Sequence, residues 1–244
     1  MAVLDIVLDE QLDALDPLRH LRDDDSADGI VPAQPKSVHD ELIQLSFPTL
    51  ADGLPNPLTV KLAVDASPGC GGIAWPAGEV LSSYVARRGS LKRKRVLELG
   101  SGTGLVGLAA AILGASVWIT DQAPLLEIMR RNVDMNNLGH SVKVMELNWG
   151  DPLPQDLPPF DLILAADCVY FEPAFPLLVK TLSDLADAGE PEILFCYKKR
   201  RKADKRFFTM LKKHFTWDEV SDDPNREVYA KEAISLLRLH RKKQ

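Results

Sequence analysis

Short apolar runs alternate with amphipathic stretches along the chain from residue 95 onward. The apolar runs predict strands at 95–99, 116–120, 142–147, 160–166 and 191–197. Stretches with helical spacing predict helices at 104–113, 123–137, 173–187 and 203–214. Two final strands, at 216–221 and 232–240, have no helical pattern between them and predict an antiparallel hairpin at a sheet edge. The alternation favours an α/β fold, a Rossmann-like and mostly parallel sheet of seven strands with helices on both faces.

The chain before residue 95 has a weaker pattern. Residues 42–46 and 58–64 alternate between apolar and polar side chains, which predicts a pair of strands. A glycine-rich turn that contains Trp75 leads into a helix predicted at 77–87. This region is therefore expected to precede the main sheet as a small β unit followed by a first helix.

Charge is unevenly distributed along the chain. Residues 1–35 hold nine acids and two arginines, a net charge of −7, whereas the whole chain carries −6, so the remainder is nearly neutral at +1. With its prolines, this composition predicts an acidic and partly flexible segment at 1–36. We expect a single domain at 37–244, in which 37–75 forms an N-terminal β extension.

Bulk composition argues against several classes of protein. No apolar run approaches the roughly 18 residues of a membrane span, and acids near the start do not fit a signal peptide. Three widely spaced cysteines lack zinc-ligand spacing, predict no metal site and fit a reducing compartment. The net negative charge argues against general affinity for nucleic acid. We therefore expect a cytoplasmic protein, and we expect it to be a monomer.

Three glycines at alternate positions follow the apolar run 95–99. Gly100, Gly102 and Gly104 come directly after the Glu98-Leu99 pair that ends this run. The pattern predicts a sharp turn from a buried strand into a helix, with backbone N–H groups that can face a nucleotide-like ligand. The alternative is that the glycines only let a helix pack closely on a strand, and an acid at the end of the next strand makes that alternative weaker.

Two cofactors compete for this turn. The spacing Gly102-x-Gly104-x-x-Gly107, with Asp121 further on, matches the dinucleotide fingerprint. Glu98 favours S-adenosylmethionine, because its ammonium group tolerates a nearby acid whereas a pyrophosphate does not. We favour S-adenosylmethionine over NAD.

Three further positions could contact such a cofactor. Asp121 ends the second predicted strand, where a carboxylate can accept hydrogen bonds from both ribose hydroxyls. The alternative is that Asp121 caps the next helix. Trp149, beside Asn148 after the third strand, could cover the adenine, or it could be a core residue. Trp75 could line the cofactor site on the methionine side, or it could pack between the β extension and the sheet. The sequence does not separate these alternatives.

The fourth predicted strand runs directly into Asp167, with Tyr170 three residues later. A carboxylate and a phenol at this strand end could hold an incoming amine. The alternative is a helix cap and a buried tyrosine, which the motifs upstream make less convincing.

These motifs together resemble the seven-β-strand, or class I, protein-lysine methyltransferases known as methyltransferase family 16. The resemblance covers about residues 40–240 and rests on E-x-G-x-G-x-G, Trp75, Asn148-Trp149 and Ala166-Asp167-x-x-Tyr170. It implies S-adenosylmethionine as cofactor and a substrate lysine that faces Asp167 and Tyr170. The cofactor-site residues that it implies are Trp75, Gly100, Ser101, Gly102, Asp121, Trp149 and Ala166; we add Glu98, Gly104 and Asn148 as candidates.

Within the family, the length, the D-C-V-Y-F segment and the basic stretch 198–206 are most similar to the fungal elongation-factor methyltransferases. This implies a protein substrate such as translation elongation factor 1-alpha. Cys168-Val169 stands where nucleobase methyltransferases often have two prolines, which counts against a nucleic acid substrate.

Several alternatives stay open at this point. They are an N-methyltransferase for a small molecule or nucleic acid, a NAD-dependent dehydrogenase, and a non-catalytic cofactor-binding module. The basic stretch 198–206 could steer an acidic protein surface, act as a nuclear import signal, contact RNA, or simply be a solvated helix start.

Overall fold

A computed structural model describes residues 41–50, 53–54, 56–66, 70–202 and 204–243. The predicted acidic segment at 1–36 lies outside the described residues. The N-terminal hairpin is confirmed: β1 (Glu41–Phe47) pairs antiparallel with β2 (Leu58–Val64) as a separate two-stranded sheet.

The described chain then forms a series of helices and a seven-stranded sheet. The strands are β3 (Arg95–Leu99), β4 (Ser116–Asp121), β5 (Val142–Glu146), β6 (Leu162–Ala166), β7 (Glu192–Lys198), β8 (Phe215–Glu219) and β9 (Ile234–Arg241). The helices are α1 (Pro76–Arg87), α2 (Leu105–Ile112), α3 (Leu126–Met135), α4 (Phe175–Gly189), α5 (Asp204–Leu211) and α6 (Arg226–Lys231). The strand order in the sheet is β5-β4-β3-β6-β7-β9-β8. The first five strands in this order pair in parallel, whereas β9 is antiparallel to both β7 and β8.

The structure corrects one expectation about the closing strands. They do pair antiparallel, but α6 lies between them where no helix was predicted. Six residues are fewer than two helical turns, too short for apolar periodicity to develop. The helix predicted at 123–137 is shorter in the structure, Leu126–Met135, and the helix predicted at 173–187 is shifted to Phe175–Gly189. A three-residue 3₁₀ turn precedes each of these helices.

The central strands are buried on both faces, and alternate side chains enter different cores. Val96 packs into the core beneath α1, α2 and α3, while Leu97 packs into the core beneath α4 and α5. This is why these strands read as continuous apolar runs. Among the described residues, no helix is long and apolar enough to cross a membrane.

Two asparagines join the hairpin to the sheet domain. Asn132 of α3 is buried, accepts the Ala63 N–H at 2.6 Å and donates to the Ala63 carbonyl at 3.1 Å and the Thr103 carbonyl at 2.9 Å. One turn later, Asn136 makes the same pair of bonds to the backbone of Lys61. The free edge of β2 is thus satisfied by side chains, which fixes the hairpin beside the glycine turn.

Candidate cofactor and substrate site

A cavity of about 300 Å³ opens at the carboxyl ends of β3, β4 and β6. Open parallel sheets bind ligands at this edge. The cavity brings together every predicted site residue except Gly104: Trp75, Glu98, Gly100, Ser101, Gly102, Asp121, Asn148, Trp149, Ala166, Asp167 and Tyr170. Gly104 is not among the lining residues, and a Cβ there would face Ile119 and Leu108 in the core, so its contact with the cofactor stays a prediction.

The glycine turn is tightly constrained at Gly102. Its φ of +55° lies in the left-handed region, and an added Cβ would lie 2.4 Å from the Gly71 carbonyl oxygen. Gly107 is equally constrained by space, since a Cβ would lie 2.3 Å from a methyl carbon of Ile119. The turn therefore presents bare backbone to the cavity, and the segment around Gly71 closes one side of it.

Asp121 is tied to this turn. Its Oδ2 accepts the Gly102 N–H at 2.8 Å, and its Oδ1 accepts the Gln122 N–H at 2.8 Å. Counting the bonds made by the described part of the chain, each oxygen keeps one further acceptor position, which suits a pair of hydroxyls. Burial raises the pKa of this carboxyl, and the two backbone N–H groups oppose that rise. The 3₁₀ turn and helix that follow have no side-chain cap, so the alternative capping role of Asp121 is not observed.

Ser101 connects the first two strands at the cavity floor. Its hydroxyl donates to the Glu98 carbonyl at 3.2 Å and accepts the Thr120 N–H at 2.9 Å. Its backbone N–H donates to the Thr120 carbonyl at 2.9 Å. Ser101 lines the cavity, and its hydroxyl already holds the ends of β3 and β4 together.

Glu98 lies beneath the cavity and is 3% exposed. Its Oε2 accepts the Gly107 N–H of α2 at 2.9 Å. Burial raises the pKa of Glu98 to about 8. Glu98 was expected to be an anion beside an ammonium ion, whereas a pKa of about 8 means that the carboxyl is mostly protonated at neutral pH in the protein alone.

Two tryptophans form walls of the cavity. Trp149 packs against the glycine turn so closely that a Cβ on Gly100 would lie 2.8 Å from its ring. Trp75 immediately precedes α1, and its ring lies 5.4 Å from the guanidinium carbon of Arg200. Beside Trp149, the side-chain amide of Asn148 donates to Glu146 at 3.0 Å. Both rings thus offer apolar surface to a ligand.

Asp167 follows β6 with a φ of +54°, which is uncommon for a residue other than glycine. Its Oδ1 accepts Nη1 of Arg200 at 2.8 Å and the Lys198 N–H at 3.1 Å, and its Oδ2 accepts Nη2 of Arg200 at 2.9 Å. Tyr170 is half-buried and lines the same cavity. The alternative role of Asp167 as a helix cap is not observed, because α4 begins at Phe175 without a side-chain cap.

Sequence reasoning missed several residues of the cavity, and Arg200 is the most important. It lies in the basic stretch 198–206, and nothing in the sequence pattern distinguished its side chain from its neighbours. Phe171 and Leu177 also line the cavity and remain 37% and 44% exposed, as apolar surface at its mouth. Cys168 lies among the lining residues as a free, buried thiol.

The cavity fits a nucleoside that carries an amino acid. It combines the glycine cradle at Gly102, a carboxylate with spare acceptor positions at Asp121, and an aromatic face at Trp149. Fold and site together define a class I methyltransferase with S-adenosylmethionine as its cofactor. The model of the lysine methyltransferase family, methyltransferase family 16, matches residues 55–214. The chain belongs to this family, as its motifs had indicated.

Two curated relatives cover most of the chain. The protein-lysine N-methyltransferase EFM6 of Saccharomyces cerevisiae is 44% identical over 202 residues, 71% of this chain and 82% of the relative. The protein N-lysine methyltransferase METTL21A of Danio rerio is 42% identical over 173 residues, 68% of this chain and 78% of the relative. The expected similarity to a fungal lysine methyltransferase of this family is thereby confirmed.

Solved structures share the fold at low sequence identity. A ribosomal protein L11 methylase from Lactobacillus delbrueckii subsp. bulgaricus superimposes with a TM-score of 0.51 at 20% identity, covering 70% of this chain and 81% of that one. The 16S rRNA methyltransferase RsmC of T. Thermophilus, in complex with AdoMet and guanosine, gives 0.51 at 17% identity, covering 87% and 52%. Both confirm the predicted α/β class.

Proposed function

We propose that this protein transfers a methyl group from S-adenosylmethionine to the ε-amine of a lysine in a protein substrate. The observation that carries the proposal is that one cavity contains both a group of residues suited to a nucleoside and a group suited to an amine. Asp121 and Gly102 form the side suited to a nucleoside, while Asp167 and Tyr170 form the side suited to an amine. Family membership supports the same reaction.

The cofactor side of the cavity would be formed by residues that are already fixed before a ligand enters. Asp121 offers acceptors to the ribose hydroxyls, Trp149 covers the adenine, and Trp75 bounds the methionine side. When bound, S-adenosylmethionine supplies an electrophilic methyl group, so that a nitrogen–carbon bond forms while the sulfur–carbon bond breaks and its electron pair stays on sulfur. The hydrogen bonds at Asp121 hold the glycine turn in place, which orients the donor without reorganisation.

The substrate side must present lysine as a free amine, because an ammonium ion has no lone pair for the attack. The ordinary pKa of lysine is about 10.4, so the site must favour loss of one proton before transfer. Burial against Phe171 and Leu177 disfavours a charged amine. Asp167 and Tyr170 would capture and orient the amine, with proton acceptance as a secondary role for Asp167.

We further propose translation elongation factor 1-alpha as the substrate, in the cytoplasm, with the enzyme acting as a monomer. The relative at 44% identity is named protein-lysine N-methyltransferase EFM6, which supports a protein substrate. The resemblance of the sequence to the fungal elongation-factor methyltransferases supports the choice of this factor. The domain division, an acidic segment at 1–36 and a catalytic domain at 37–244 with 37–75 as its β extension, is part of the same proposal.

Incubation with tritiated S-adenosylmethionine and a dialysed cell lysate tests the class of acceptor. We expect a labelled protein band that protease removes and nuclease leaves, and that is absent with the Asp167→Ala variant. Label that nuclease removes would move the substrate to nucleic acid. Absence of label despite measurable binding of S-adenosylmethionine would contradict catalysis and favour the non-catalytic module.

A further inference from the structure

The carboxylate assigned to the substrate amine already has a cationic partner. Arg200 Nη1 lies 2.8 Å from Asp167 Oδ1, and Nη2 lies 2.9 Å from Oδ2. The side chains are 6% and 5% exposed, and both residues line the cavity. The guanidinium also lies over the ring of Trp75. This paired, stacked geometry is the one that arginine provides and lysine does not.

The protein fixes Arg200 from its backbone as well as from its side chain. Asp204 is buried at the start of α5, and its Oδ2 accepts the N–H groups of Arg200 and Arg201, both at 3.1 Å. Its Oδ1 accepts Nε of Arg201 at 3.2 Å. The loop that carries Arg200 is therefore pinned, and the contact with Asp167 is a built feature rather than a surface encounter.

A bare carboxylate would work against the reaction. An opposite charge within about 4–6 Å raises the pKa of an amine by roughly 1–3, so an unpaired Asp167 would hold the substrate as an unreactive ammonium ion. The positive charge of Arg200 offsets the negative charge of Asp167, so the carboxylate no longer raises the pKa of the substrate lysine. Arg200 also leaves a place for the amine: among hydrogen bonds of the described residues, three occupy Asp167, two at Oδ1 and one at Oδ2, out of about four acceptor positions.

We propose that Arg200 is a positioning residue for methyl transfer, which neutralises and orients Asp167 so that this carboxylate accepts a hydrogen bond from an uncharged lysine amine. This inference rests on the proposed function. Arg200 acts through Asp167 and need not touch the reacting atoms.

Other titratable groups surround the pair and must be considered in any pH dependence. They are Glu98 of β3, Asp121 of β4, Cys168 and Tyr170 after β6, Cys196 and Lys198 of β7, and Asp204 of α5. Burial raises the pKa of both thiols well above their usual range, so they stay neutral. Burial raises the pKa of Glu98 to about 8, which lies within the pH range of the test. Glu98 is present in both wild type and an Arg200 variant, so the effect of the pair is taken from the difference between the two proteins.

The first test is the pH dependence of kcat, which reports groups in the enzyme–substrate complex. Methyl transfer to purified elongation factor 1-alpha, or to the labelled lysate protein if the factor is not labelled, is followed from about pH 6.5 to about pH 10. In Arg200→Gln, the rising limb should move to higher pH by roughly 1–3 pH units, with a tenfold or larger loss near pH 7.5 and recovery at high pH. Lys202→Gln removes an exposed charge from the same loop, and the rising limb of its profile of kcat against pH should coincide with that of wild type.

The variant Arg200→Lys distinguishes the loss of the positive charge from a loss of folding in Arg200→Gln. It keeps the charge but not the paired bonds, so its limb should stay close to wild type while its plateau kcat falls. Thermal melting and binding of S-adenosylmethionine show whether each variant is folded.

A second test needs no turnover. Calorimetry of binding to the same protein substrate with S-adenosylhomocysteine present, in two buffers of different ionisation enthalpy, measures the protons released. Wild type should release more protons per complex than Arg200→Gln, because its substrate lysine binds with less charge. Equal release, or a kcat limb that coincides with wild type after scaling, would overturn the role of Arg200. Absence of wild-type methyl transfer to any protein would instead overturn the proposed function.

Discussion

Glu98 and Gly107 are joined by a buried hydrogen bond of 2.9 Å, from the first turn of α2 to the carboxyl group of β3. An N–H at this position has no partner within its helix, and Glu98 provides one. The absence of a side chain on Gly107 is required, because a Cβ would lie 2.8 Å from Oε2 of Glu98. The strand, the glycine turn and the helix are thus held together beneath the cavity.

This contact has a consequence for stability against pH. Burial raises the pKa of Glu98 from 4.5 to about 8, so its contribution to folding is fully present below pH 4.5 and is lost as the pH rises toward 8. Glu98→Gln removes the titration and can still accept the Gly107 N–H. Denaturant unfolding should show wild type losing free energy of unfolding relative to this variant, by about 1.4 kcal/mol per pH unit at most.

The control for that experiment is Glu127→Gln, which changes an exposed carboxyl on α3. Its free energy of unfolding should follow wild type across the same pH range. A Glu98→Gln variant that also follows wild type would show that the carboxyl is ionised in the folded protein.

Asp121→Asn should weaken binding of S-adenosylmethionine. An amide keeps one acceptor oxygen and places an NH₂ group against a backbone N–H, at Gly102 or at Gln122. Loss of a charged acceptor costs about 1.5–3 kcal/mol, which corresponds to a roughly 10- to 100-fold increase in Kd. Calorimetric titration measures it, with Asp134→Asn, an exposed aspartate on α3, as the matched variant that should bind like wild type.

Gly102→Ala should damage the cavity. The new methyl group would be strained by the positive φ and would lie 2.4 Å from the backbone oxygen of Gly71, which cannot move as a side chain can. We expect a lower melting temperature and a Kd for S-adenosylmethionine raised at least tenfold. Gly139→Ala meets nothing within 4 Å and should change neither quantity; normal affinity in Gly102→Ala would mean that this turn does not contact the cofactor.

Asp167→Ala should nearly abolish turnover, by roughly 10²- to 10⁴-fold, while the Kd of S-adenosylmethionine changes only a few-fold. The reason is that the proposed function assigns Asp167 to the substrate amine, whereas Asp121 is assigned to the cofactor. Initial rates and a cofactor titration on the same preparation separate the two quantities. Equal losses of turnover and cofactor affinity would refute its assignment to the substrate.

Much of the fold follows from local patterns. The bounds of β3 were predicted without error, since a strand buried on both faces is a plain apolar run between charged and glycine-rich flanks. The hairpin at β1 and β2 was likewise readable from alternation. The helix α6 was not, because one and a half turns leave almost no periodic signal.

The site was readable where backbone chemistry restricts the residue type and unreadable where tertiary packing decides. Glycines and strand-terminal acids gave Gly102, Asp121 and Asp167, because those positions are set by turn geometry. Arg200 was one of several basic residues in the sequence, and the orientation of its side chain depends on the contact of its backbone with Asp204 in the folded loop. The protonation of Glu98 depends on the packing of α2 over it, which no local pattern encodes.

The most direct test of the central claim is mass spectrometry of proteins from a dialysed yeast lysate after incubation with S-adenosylmethionine that carries a deuterated methyl group. The account predicts the deuterated methyl increment on a lysine, in elongation factor 1-alpha, with wild type and not with Asp167→Ala. Label confined to nucleic acid or small molecules, or to residues other than lysine, would contradict it.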